Sequence, residues 1–144
     1  MATAVDSRLR AWHESLEHTS ELELWLHAPT WPALVAEAGR ALGEQLVHGV
    51  LGRAGGPWRR VSVRGAERAT LLAAWVNELL FHAEAEWWVP IEFADVQASD
   101  TEIHARVRGA VVTEPPAPVR AAEPSAVRIQ DVAGWLEARV ILDT

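Results

Sequence analysis

The sequence has no cysteine and no tyrosine, and all 13 of its basic residues are arginine, so lysine is absent too. Without thiols there is no disulfide, thiolate zinc site, iron–sulfur cluster or cysteine nucleophile. Without lysine there is no Schiff base, nucleotidylated lysine or phosphate-loop lysine. Any chemistry must come from carboxylates, the six histidines, Ser and Thr hydroxyls or arginine. No uncharged apolar run approaches the ~20 residues of a membrane span, and Met1–Arg10 carries Asp6, Arg8 and Arg10 in place of a signal-peptide core. The expectation is a cytoplasmic protein without membrane attachment. The formal net charge of -7 argues against strong direct binding to nucleic acid, which relies on clustered basic residues. It suits a cation or a basic protein partner.

What is present describes one domain over residues 1–144, 49% hydrophobic and 23% charged. Leu22, Leu24 and Leu26 alternate with Glu21, Glu23, Trp25 and His27, the period of a strand with one buried face. Ala11 to Leu16 reads as a strand before it. Thr30 is placed to cap a helix opened by Trp31-Pro32, with Leu34, Val35, Ala38, Ala41, Leu42 and Leu46 along one stripe. After a glycine-rich loop, Trp58–Arg64 alternates as a strand, and Leu72, Trp75, Val76, Leu79, Leu80 and Ala83 mark a second helix. A hairpin follows around Ser99-Asp100, its first strand placed at an edge or bulge by Pro90. Residues 113–125 hold four of the eight prolines and read as a loop, and two strands around Ala133-Gly134 close the chain. This order predicts an α+β fold: a largely antiparallel sheet with two helices on one face, preceded by a tail over residues 1–10.

The densest polar cluster is His13, Glu14, Glu17, His18, Glu21 and Glu23. Carboxylate oxygens with an imidazole suit Mg²⁺, Mn²⁺ or Ca²⁺ better than a soft metal. The same residues also read as the solvated flank of a strand. Asp143, after Val140-Ile141-Leu142, reads either as a ligand or as a charged end. Arg59, Arg60, Arg64, Arg68, Arg106 and Arg108 form a basic patch or simply a wet strand face, and Asn77-Glu78 meets a partner or water. No nucleophile–base pair or glycine-rich phosphate loop appears.

Three segments together carry a family likeness. Leu16–Glu21 (LEHTSE) resembles the "(D/E)HTAD" signature of the archease family. Leu71–Phe81 (LLAAWVNELLF) is similar to its "LLxxWLNELLY" helix, and Ala138–Asp143 (ARVILD) to its terminal "ARVILD". The resemblance implies a small α+β fold and a non-enzymatic accessory role: activation of RtcB-type RNA ligases in tRNA splicing and RNA repair. Such activators promote guanylylation of the ligase and its turnover. It further implies a divalent metal ion (Mg, Mn or Ca) at an acidic tip made by His18, Glu21 and Asp143, with the two carboxylates facing one pocket. Two departures stand out. Glu21 replaces the usual Asp, reaching one methylene further, and Gln130 stands where the family's "KAVTYH" strand has His. Two other readings remain on the same fold: a protein-binding scaffold that has lost the metal role, and a metal-dependent hydrolase, for which no activating base is evident.

Overall fold

The computed structural model describes residues 10–18, 20–47 and 54–144; residues 1–9 of the expected tail lie outside them. The elements run β1 (Trp12–His18), β2 (Glu21–Ala28), α1 (Trp31–Leu46), β3 (Arg59–Arg64), α2 (Arg68–Glu86), β4 (Trp88–Ala98), β5 (Glu102–Val111), β6 (Ala122–Val132) and β7 (Trp135–Asp143). Every strand pairing is antiparallel. The α+β class holds, but the strands divide into two sheets, ordered β1-β2-β7-β6 and β3-β5-β4. The division follows from pairing across the chain. β7 returns to lie between β2 and β6, while the β4–β5 hairpin takes β3 as its third strand.

Both helices touch both sheets: α1 packs on β1, β2, β4 and β7, and α2 on β3, β4, β5 and β6. The Thr30 hydroxyl accepts a hydrogen bond from the Ala33 amide (3.2 Å), starting the helix where the sequence predicts. Trp75 is fully buried, and its indole N–H donates to the Val35 carbonyl (3.0 Å), so the largest core side chain leaves no polar group unpaired. Two glycines one turn apart, Gly39 and Gly43, let α1 approach β4. A methyl at Gly43 would overlap the Pro90 carbonyl oxygen, and one at Gly39 the Phe93 ring. Pro90 lies on an edge strand and beside a register shift, as expected of a residue that cannot donate.

The proline-rich loop is shorter than its composition suggests. Pro115 and Pro116 lie outside regular structure, but β6 begins at Ala122 and takes in Pro124. A proline fits there because β6 is an edge strand whose register shifts between Ala122 and Val127. Asn77 explains how that strand is held. Its side-chain amide donates to the Ala122 carbonyl (2.9 Å) and accepts from the Ala122 N–H (2.7 Å), as a neighbouring strand would. Asn77 therefore ties α2 to the sheet instead of meeting water. The last hairpin turns at Ala133-Gly134, both at positive φ (55° and 86°).

Candidate functional site

The first strand pair and the last strand meet at one end of the larger sheet. Glu21 opens β2 and pairs directly with Asp143, the last residue of β7, so their carboxylates are cross-strand neighbours despite their distance in sequence. His18, across the hairpin turn, pairs with Glu21 from the other side. The Thr144 amide donates to the Ser20 carbonyl (3.1 Å), extending the pairing past the strand ends. All three side chains are exposed. His18 and Glu21 line a pocket of about 260 Å³ with Glu17, Gln45 and the loop at 117–119. Its C-terminal wall is Thr144, not Asp143, so the two carboxylates share a tip but not a pocket wall.

The donors at this tip, two carboxylates and an imidazole, are of a type that suits a hard divalent ion. Among the described residues, however, no three His, Asp or Glu side chains converge on one point. The His18 imidazole instead lies 3.9 Å from Glu23 Oε1. The Gln130 departure does not touch the tip. Gln130 pairs with Glu137, six residues before Asp143 on β7, which places it roughly 20 Å along the strand from that carboxylate.

Strand parity splits the rest of the acidic cluster. His13 faces α1, where its Nδ1 and Nε2 each lie 2.6 Å from a carboxylate oxygen, of Glu37 and Glu44 respectively. A carboxylate oxygen faces each ring nitrogen, a setting that favours the imidazolium, in which both nitrogens can donate. The Glu37 hydrogen bond, joined by Glu44, outweighs burial and raises the His13 pKa to about 9. Burial works against ionisation of Glu37, but His13 and Arg40 outweigh it and hold its pKa below the usual carboxylate value. Glu23 turns to the opposite, outer face. Its Oε1 accepts from the Trp25 indole (2.7 Å), and its Oε2 accepts from Arg139 Nε (2.8 Å). The Trp25 hydrogen bond leads, with Arg139, in lowering its pKa despite burial. Trp25 was legible as an outward residue from alternation; that Glu23 and Arg139 fix it was not.

The arginines of the smaller sheet are largely spoken for. Arg64 pairs with Glu102 (3.0 Å), Arg106 with Asp95 (3.1 Å) and Arg108 with Glu92 (2.8 Å), while Arg106 and Arg108 also flank Trp58. They make an ion-paired wet face rather than a concentrated basic patch. Among the described residues no helix is long and apolar enough to cross a membrane.

Solved structures share this architecture. Protein 1598 of Methanobacterium thermoautotrophicum superposes with a TM-score of 0.69 at 24% identity, covering 92% of this chain and 98% of its own. A Thermotoga maritima archease, described as a possible chaperone, gives 0.64 at 16% identity, over 91% and 96% of the two chains. At such identities the likeness establishes the fold alone. No curated protein matches the sequence. Residues 13–144 match the family described as "Archease protein family (MTH1598/TM1083)", a span that takes in the tip, both helices and every strand but the first residue of β1. The chain belongs to the archease family.

Proposed function

We propose that this protein is an accessory activator of an RtcB-type RNA ligase, promoting guanylylation of the ligase and its turnover. The observation that carries this reading is the direct pairing of Glu21 with Asp143, which puts two exposed carboxylates at one tip. His18, Glu21 and Asp143 would hold the divalent ion. Three protein ligands are fewer than the six to eight oxygens around Ca²⁺ or the six around Mg²⁺, so water or partner oxygens would complete the shell. When bound, the ion supplies positive charge that orients and neutralises a nucleotide triphosphate. The chain itself presents the acids on paired strand ends, where exposure leaves them open to a partner. It acts as a cofactor protein, not an enzyme.

The test is a ligation assay with the ligase limiting, with and without this protein, in the presence of Mg²⁺ or Mn²⁺. Added protein should raise turnover. Asp143→Ala should abolish the stimulation while circular dichroism stays unchanged, and Glu21→Asp should retain it. A wild-type protein that leaves turnover unchanged overturns the reading. The His18 imidazole lies 3.9 Å from a Glu23 oxygen, and no three acidic or histidine side chains converge among the described residues, which favours a second reading: a scaffold that binds its partner without a metal. Co-purification with the ligase, without stimulation, is the result expected of it.

A further inference from the structure

The second half of β6 is an edge without a neighbour. β6 pairs only with β7, so one side of its backbone faces away from the sheet. The first half is closed there, because Asn77 takes the Ala122 N–H and carbonyl and Pro124 has no N–H to offer. Over residues 127–132 the pairing with β7 is regular. Among the described residues, nothing outside that pairing bonds the backbone of this stretch.

A groove of about 550 Å³ runs beside it. Residues 127–131 line the groove in unbroken order, although alternate residues of a strand face opposite sides. A groove that meets all of them therefore follows the strand's edge. Its far wall is the start of α2 at Glu67 and Arg68, and the partly buried Ile129 and Leu136 give it an apolar floor. A slot between an edge strand and a helix is where an extended peptide can add as a further strand. Open N–H and C=O groups at strand spacing are matched by another extended backbone.

The side chains say which peptide. Arg128 pairs directly across the strands with Arg139, and like charges in that position repel. Arg139 is held by Glu23, whereas no ion pair among the described residues includes Arg128. An acidic residue opposite Arg128 on an added strand would match it. Val127 and Ile129 pack toward the core, so the positions on either side of that acid call for apolar side chains. A second copy of this chain is a poorer occupant. Directly opposed residues of an antiparallel pair share a face, so in β6–β6 pairing Arg128 meets only Ala126, Arg128, Gln130 or Val132, none of them acidic.

We propose that residues 127–132 bind an extended peptide from a protein partner as an antiparallel fifth strand of the larger sheet, with an acidic residue opposite Arg128 and apolar residues flanking it. The open stretch has the length of an ordinary strand, and the closed first half stops an added strand from running the whole of β6. The proposal does not rest on the ligase reading, and its test contains no ligase.

A fluorescein-labelled, end-capped peptide, Thr-Val-Glu-Val-Thr, titrated with the full chain, reads it by anisotropy. Saturable binding is expected, with amide hydrogen exchange slowed over residues 127–132. Two N-methylated versions of the peptide separate backbone from side-chain recognition. Methyl groups along one edge of the peptide should abolish binding, and along the other edge should leave it unchanged. Arg128→Glu should weaken binding about fivefold and should prefer a peptide with Lys in place of Glu. Arg60→Gln, on the other sheet, should change nothing. Circular dichroism of each variant establishes that it is folded. No saturable binding, both N-methylated versions binding as well as the parent, or slowed exchange confined to other residues would overturn the proposal. So would a chain that self-associates through β6 and is not dissociated by the peptide.

Discussion

His13 and His18 stand five residues apart on one strand, each near carboxylates, and they do opposite work. His13 is on the inner face, mostly buried, with both nitrogens saturated by Glu37 and Glu44. His18 is at the strand end, half-exposed, with Glu21 and Asp143 in the adjoining strands. The first set fastens β1 to α1 and has no valence left for a ligand. The second has donors to spare and supports nothing above it. A histidine–carboxylate cluster is therefore structural or functional according to which groups it has already satisfied, and strand parity makes that decision here.

The contrast breaks first at Glu37. Glu37→Ala removes a buried acceptor from a charged imidazole, and the loss should be about 2–3 kcal/mol, read as a lower urea midpoint at unchanged slope. A smaller effect follows from pH. The folded-state pKa of His13, about 9, lies above the ordinary 6.5. Its contribution to stability is therefore complete below pH 6.5, declines as pH rises, and is gone above about 9. Urea midpoints across that window should fall in wild type more steeply than in His13→Gln. The smallest effect is expected at the tip. Asp143→Ala should change stability by no more than about 0.5 kcal/mol, seen as a shift in Tm of about 1–2 °C. A large destabilisation there would erase the distinction between the two clusters.

Much of the fold was readable locally. Thr30, the stripe through Leu34, Ala38 and Leu42, the alternation of β2 and the turn at Ala133-Gly134 each depend on neighbours within a few residues. The division into two sheets was not readable, because it depends on which distant strands pair. The approach of Glu21 to Asp143 became an expectation only through the family resemblance, for the same reason. Asn77 and Gly43 were opaque for a related cause. A polar residue and a glycine in a helix look like weak points until the Ala122 backbone and the Pro90 carbonyl appear beside them. The parity that separates His13 from His18 was present in the sequence, since His13 and Ser15 alternate with Glu14 and Leu16.

The Asn77 amide has a consequence for the behaviour of many molecules together. An outermost strand with open backbone groups is a template on which a second chain can add, and sheet growth of that kind ends in fibrils. On β6 the first of those groups is already taken by a side chain from α2, Pro124 has no N–H to offer, and the shift between Ala122 and Val127 bends the line that another strand would have to follow. Three local features thus blunt one border of the larger sheet, and a molecule with no disulfide to hold it keeps that border from becoming a seed for polymerisation.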